Sequence, residues 1–197
     1  MIEGTIVNLR ARDVSDVDRI VRWINDREVT RHLNARYLYS RLYEEEWVRA
    51  GASAMQSFTN VQFAIETKDG VHIGNMGFHV VSPEDRNAHL GMMIGEKAYW
   101  SRGYGTDALM TMLRFAFDEM NLHRVDLSVD ASNARGIACY RKCGFVEEGR
   151  MRDARYGGGG YEDQLIMGVL REEFEAIREG RRPLTNICST CTIGLHL

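Results

Sequence analysis

The spacing of apolar residues changes period several times along this chain, and each change predicts an element. Residues 5–10 (Thr-Ile-Val-Asn-Leu-Arg) alternate as a strand does, and Asp13 or Ser15 then opens a run in which Val14, Val17, Ile20, Val21 and Ile24 recur at helical spacing. A second helical pattern, rich in Tyr, Leu and Glu, covers residues 37–50 before Gly51, and the polar residues 53–60 read as a connection. Residues 63–68 and 72–81 flank Asp69-Gly70, whose fit to positive dihedrals predicts a hairpin, and a third strand follows over 88–95. Ala108, Leu109, Met112, Leu113, Ala116 and Phe117 mark a long helix over 103–120. A buried strand over 124–129, a helix over 133–142 stopped by Gly144, and strands over 145–151 and 164–170 around the glycines at 157–160 complete the pattern. Hairpins in a mixed order predict an α+β fold with a largely antiparallel sheet rather than a doubly wound parallel one. The periodicity stops after Pro183, so residues 1–180 read as one domain and 181–197 as a flexible tail.

Composition narrows the class. A chain of 197 residues suits one domain, and 44% hydrophobic with 27% charged residues matches soluble globular proteins. No apolar run reaches bilayer length and no basic-then-apolar leader opens the chain, so a soluble cytoplasmic protein without a membrane partner is expected. The net charge of -3 supplies no global attraction for nucleic acid. Four cysteines are too few for a disulfide scaffold at this length, so reduced thiols are expected. Cys139 and Cys143 sit one helical turn apart and read as packing, while Cys188, Cys191 and His196 give only partial metal-ligand spacing, so no metal is expected. Glu44, Glu45 and Glu46 read as a solvated helix face.

The segment Trp100-Ser101-Arg102-Gly103-Tyr104-Gly105-Thr106 joins a strand to the start of the long helix. A helix start exposes unpaired N–H groups and partial positive charge, and glycines there let an anion approach several donors at once, with Arg102 adding a cation. Two glycines alone would more often mean a tight turn. The segment is not the dinucleotide fingerprint, whose third glycine position holds Ala108, and it lacks the Gly-Lys-Ser/Thr ending of a phosphate-binding loop.

These residues resemble the GNAT superfamily of N-acetyltransferases, whose signature is Gln/Arg-x-x-Gly-x-Gly/Ala; residues 100–105 match except that Trp100 takes the first position. Asn133-Ala-Arg-Gly-Ile-Ala-Cys-Tyr140, followed by Gly144-Phe145 and Glu148-Gly149, is similar to the family's second cofactor segment, with Gly136 replacing the usual alanine. The Gly-Phe-x-x-Glu-Gly strand and the aspartate in Tyr161-Glu-Asp163 resemble ribosomal-protein N-terminal acetyltransferases and spermidine/spermine acetyltransferases. The resemblance implies a mixed, mostly antiparallel central sheet of about seven strands, splayed in the middle and flanked by four or more helices. It implies acetyl-CoA as co-substrate and a primary amine, a polyamine or a protein N-terminus, as acceptor. Sheets of this kind commonly pair through exposed edges, so a homodimer is also expected.

Within the resemblance, the backbone of Met93, Ile94 and Gly95 is expected to pair with the pantetheine arm and Trp100, Ser101, Arg102, Gly103, Tyr104, Gly105 and Thr106 to hold the pyrophosphate. Loss of a Gln or Arg at position 100 removes one side-chain contact there. Asn133 caps its helix and contacts the cofactor. Tyr140 is the expected acid for the departing thiolate, although a helical tyrosine elsewhere would more often pack against a residue such as Phe145. His89 stands where related enzymes often carry a glutamate and is the expected base, since imidazole titrates near neutral pH. His79, Glu28, Asp130 and Asp163 remain alternatives, and loops 26–39 and 156–160 are expected to line the acceptor side. A non-catalytic acyl-CoA sensor is the competing reading; the presence of Tyr140 favours an enzyme.

Overall fold

The computed structural model describes residues 1–56 and 61–181. The end of the expected connection at 53–60 and the tail with Cys188, Cys191 and His196 lie outside them. In chain order the elements are β1 (Ile2–Glu3), β2 (Val7–Ala11), α1 (Val17–Ile24), α2 (Arg41–Gln56), β3 (Val61–Thr67), β4 (His72–Ser82), β5 (Asn87–Ile94), α3 (Tyr104–Arg114), β6 (Arg124–Asp130), α4 (Ala134–Lys142), β7 (Val146–Gly157), β8 (Gly160–Leu170) and α5 (Arg171–Arg178). The α+β class holds. Eight strands form one sheet in the order β1-β2-β3-β4-β5-β6-β8-β7, one more than expected because the two-residue β1 pairs with β2.

Three boundaries move for identifiable reasons. Helix α2 starts at Arg41 and continues to Gln56, so part of the expected connection is helical; Ala52, Ala54 and Met55 are good helix formers that offset Gly51. The last hairpin is longer than expected because β7 reaches Gly157 and β8 begins at Gly160. Its charged outer arm hides the alternation, and Gly158 (φ 61°) and Gly159 (φ 88°) supply the two left-handed residues of a tight hairpin turn. Helix α5 escapes the pattern because it follows β8 with no turn residue between; the Glu173 carboxylate accepts the Leu170 N–H at 2.8 Å and closes its first turn.

Neighbouring strands pair antiparallel with one exception. β5 and β6 run parallel, and only Asn87–Arg124, Ala88–Val125 and His89–Asp126 are in register. From Leu90 onward β5 pairs only with β4, and from Leu127 onward β6 pairs only with β8, so the sheet opens into a V. A bulge between Phe78 and Val80 in the neighbouring β4–β5 pair adds local twist at the same level. The crossover between these parallel strands is α3, whose buried Leu109, Met112 and Leu113 pack into the main core with Phe63, Phe78 and Val125. Val17 and Ile20 of α1 meet Val48 of α2 in a smaller cluster on the sheet.

A buried carboxylate ties α1 to that sheet. Asp16 accepts two hydrogen bonds of 2.8 Å from the Arg10 guanidinium of β2 and one from the Asp13 N–H, and His72 Nδ1 of β4 lies 3.2 Å away. Burial alone would raise its pKa, but the bonds from Arg10, His72 and the Asp13 amide outweigh it and hold the group well below the usual carboxylate range. A depressed folded-state pKa contributes stability that is complete above the unfolded value, about 4, and is lost as pH falls through the acid range. Asp16→Asn should therefore destabilise the fold by about 3 kcal/mol or more, since Arg10 loses its buried partner, and should flatten the acid side of stability against pH in urea titrations. A variant as stable as wild type at pH 7 would contradict this account.

Candidate functional site

The V between β5 and β6 opens into a cleft of about 810 Å³ that runs from the start of α3, past α4, to residues 28–34 of the loop between α1 and α2. At one end the chain is shaped for an anion. Ser101 (φ 57°) and Gly103 (φ 89°) take left-handed conformations, and the first helical bond of α3 is Asp107 N–H to Gly103 C=O at 3.0 Å. The N–H groups of Tyr104, Gly105 and Thr106 therefore have no carbonyl within the helix to bond. A Cβ on Gly105 would meet its neighbours at an ordinary 3.7–3.8 Å, so packing does not demand glycine there, and its absence leaves room in the cleft. Asp107, in the first turn, would oppose an anion if it faced one. Its carboxylate instead accepts the N–H groups of Thr5, Ile6 and Val7 at 3.1, 2.7 and 2.9 Å.

Trp100 changes the rim in a way its identity alone does not reveal. Its indole N–H donates to the Ile94 carbonyl at 2.7 Å, closing the end of β5, and the Arg135 guanidinium lies 3.9 Å from its ring centroid. The residue that removes a polar side chain thus carries a cation from α4 to the same rim. Met93, Ile94, Trp100, Ser101, Gly103, Gly105 and Thr106 all line the cleft. Gly95, Arg102 and Tyr104 do not: Gly95 packs against the Trp23 ring and donates its N–H to Ile73, Arg102 bonds the Ala98 carbonyl, and Tyr104 stacks edge-on against Tyr99.

Helix α4 forms the adjoining wall. Asn133 Oδ1 accepts the Gly136 N–H at 2.9 Å, and a Cβ on Gly136 would fall 2.7 Å from Asn133 Nδ2, so the glycine makes room for the cap. Tyr140 lines the cleft while its ring packs 5.9 Å from Phe145, so the packing and cleft-facing readings both hold. Burial, then the Cys139 and Cys143 thiols, push its phenol well above its ordinary pKa. Cys139 also lines the cleft, with Sγ 3.5 Å from Thr106 Oγ1; the hydrogen bond with Cys143 lowers its pKa and raises that of Cys143.

Imidazoles gather toward the other end. His89 stands at the apex of the V, its Nδ1 2.6 Å from Asp126 Oδ1 on β6, in the last register pair before the strands part. His79 of β4 occupies the space that a Gly91 side chain would need, and desolvation, then His89 and Arg12, hold its pKa below the ordinary imidazole value. His32, which sequence reasoning missed, lines the cleft with Nδ1 3.0 Å from Asp130 Oδ2. It lies in an aperiodic loop with no motif to flag it. Asp130 is buried, held by Arg155 at 2.6 Å and outside the cleft lining; Asp163 is bound by Arg150 at 3.1 Å, also outside it. Glu28 lines the cleft but is paired with Lys97 at 2.6 Å. His32, Asp130 and Glu162 could offer a cation three ligand atoms within 4.8 Å of one another, but the Arg155 guanidinium already holds both carboxylates. The 26–39 loop lines the cleft as expected, and the 156–160 hairpin tip does not.

An acetyltransferase (GNAT) domain model matches residues 7–146. The chain is 23% identical over 169 residues to the uncharacterized N-acetyltransferase p20 of Bacillus licheniformis, covering 85% of this chain and 94% of that one. It is 31% identical over 107 residues to the putative ribosomal N-acetyltransferase YdaF of Bacillus subtilis, 54% of this chain and 58% of that one. The fold superposes on the crystal structure of spermidine N-acetyltransferase from Vibrio cholerae in complex with CoA and spermine with a TM-score of 0.78 and 24% identity, covering 86% of this chain and 98% of that chain.

The Trp100–Arg135 pair yields a measurable expectation. Arg135→Ala should raise the Kd for coenzyme A roughly tenfold in calorimetry, and more weakly at high salt, as for an exposed cation facing phosphate. Trp100→Phe keeps the shelf for Arg135 and should cost less than Trp100→Ala. An unchanged Kd in Arg135→Ala would remove Arg135 from the binding face.

Proposed function

The chain belongs to the GNAT acetyltransferases, an N-acetyltransferase with acetyl-CoA as co-substrate, and from that premise we propose that it acetylates a primary amine by direct attack on the thioester within the β5–β6 cleft. The observation that carries the reading is the splay itself. The Leu90–Ile94 edge of β5 has no partner on the β6 side, one end of the gap is a helix start stripped of opposing charge, and the other is lined by imidazoles. An extended amide arm suits such an edge, and phosphates suit the N–H groups of 103–106. Bound acetyl-CoA supplies an activated acetyl group; the rest falls to the chain.

His89 accepts the proton that the amine gives up, and Asp126 fixes the tautomer by taking Nδ1–H, which leaves Nε2 as the acceptor. Tyr140, kept protonated by its raised pKa, donates to the leaving thiolate sulfur. Asn133 holds the start of α4 and so the position of Tyr140. Holding both reactants at attack distance contributes several kcal/mol without any covalent enzyme species. The named relatives include a ribosomal and a spermidine acetyltransferase, which supports a protein N-terminus or a polyamine as acceptor. The same reading takes residues 1–180 as a single catalytic domain, cytoplasmic and homodimeric, with 181–197 as a tail.

Thiol release from acetyl-CoA with a panel of amines tests the assignment. His89→Gln and Tyr140→Phe should each lower kcat by roughly 100-fold or more while coenzyme A binding stays within about twofold. Tyr140, whose pKa is raised, should impose no alkaline limb in the neutral range. Tight coenzyme A binding without turnover of any amine would favour a sensor, and unchanged kcat in both variants would move the chemistry elsewhere.

A further inference from the structure

A second cavity of about 190 Å³ lies on the face of the sheet covered by α1 and α2. Ile20 and Ile24 of α1, Trp47 of α2 and Leu33 of the intervening loop line it, above Met76 of β4 and Met93 of β5. It shares Leu33, His79, Gly91, Met92 and Met93 with the main cleft, so the two spaces adjoin along this stretch of β5, where the His79 ring lies over Gly91. Resting on the acetyltransfer reading, we infer that this side pocket receives the body of the acceptor, and that the acceptor is an amine carried on an uncharged apolar group of side-chain size, as at a peptide N-terminus with an apolar first residue, rather than a polyamine.

Three observations carry this beyond the shape. The volume equals about six waters of liquid at about 30 Å³ each, room for an isobutyl or benzyl group. The charge is wrong for a polycation. Among the described residues lining either cavity the sole carboxylate is Glu28, and Lys97 holds it at 2.6 Å, whereas His32, His79, His89, Arg135 and Lys142 all line the main cleft. A second or third ammonium group would find no free carboxylate among these lining residues, and the two side chains of fixed charge there, Arg135 and Lys142, are themselves cations. The pocket also has one spare donor beneath its wall. Asn75, which also lines the pocket, turns Oδ1 to His72 Nε2 at 3.1 Å, and its covered Nδ2 has no partner among the described residues. An α-amine, with an ordinary pKa of about 8 against about 10.4 for an alkylamine, also yields its proton to an imidazole more readily.

Steady-state kcat/KM for leucinamide, phenylalaninamide, glycinamide and spermidine tests the inference on the full chain with acetyl-CoA. Leucinamide and phenylalaninamide should exceed glycinamide by at least about tenfold, as a filled apolar pocket gives, and spermidine should be the poorest. Ile24→Trp, which fills the pocket, and Trp47→Ala, which opens its half-exposed wall, should each lower the leucinamide-to-glycinamide ratio at least about fivefold, with thermal melts reporting that each variant is folded. Preference for spermidine, equal rates for leucinamide and glycinamide, or an unaltered ratio in both folded variants would overturn the pocket's role while leaving acetyl transfer intact. Turnover of none of the four amines, with coenzyme A still bound, would overturn the acetyltransfer reading and the pocket's role together.

Discussion

The rest of the site depends on how briefly β5 and β6 hold together. Two parallel strands in a sheet ordinarily continue side by side, because every unpaired N–H and C=O within the fold costs free energy. Here the ladder ends after His89–Asp126, and both strands keep their other neighbours, β4 and β8, to the end. The gap therefore belongs to the fold and does not come from a strand that frays. A chain that leaves hydrogen-bonding groups of one strand edge open beside a helix start is organised to take a ligand with a peptide-like arm and a negative end. His89 and Asp126 sit at the apex, the last point at which both strands are held.

Electrostatics in the cleft follow from how carboxylates are kept occupied. Asp107 is bonded to the N-terminal strand connection, Asp130 to Arg155, Glu28 to Lys97 and Asp126 to His89. Each of these acidic groups thus has a bonded neighbour, and Glu28 is the one carboxylate among the described residues lining the cleft. That division suits an anionic cofactor at one end and proton removal by a neutral base at the other, with little net attraction for a polycation between them.

That residues 100–106 and 133–140 border one cleft was legible because they place glycine, asparagine and tyrosine at spacings that a helix start and one helical face require. The sheet class was legible because Asp69-Gly70 and the alternating runs beside it can form little else. Residues recruited across the sheet were not. His32 and Asp130 are 98 positions apart, and nothing local marks His32 or pairs the two; Arg135 gains its place from a stacking contact with Trp100 that no spacing encodes. Gly95 failed as a cleft residue because Trp23, remote in sequence, packs against it. The long β7–β8 hairpin was obscured by charge on solvent-facing positions, and helix α5 by following β8 with no turn residue between.

The bond between Asp107 and the amides of residues 5–7 spans about a hundred positions of chain. A ribosome adding about 5–20 residues per second releases the first strand several seconds before the helix that secures it. Strand β2 can pair with β3 before then, but the anion-binding turn acquires its final electrostatics only when Asp107 reaches the amides of residues 5–7. Completing the cofactor end thus requires a contact between segments about a hundred positions apart, which local helix formation alone does not supply.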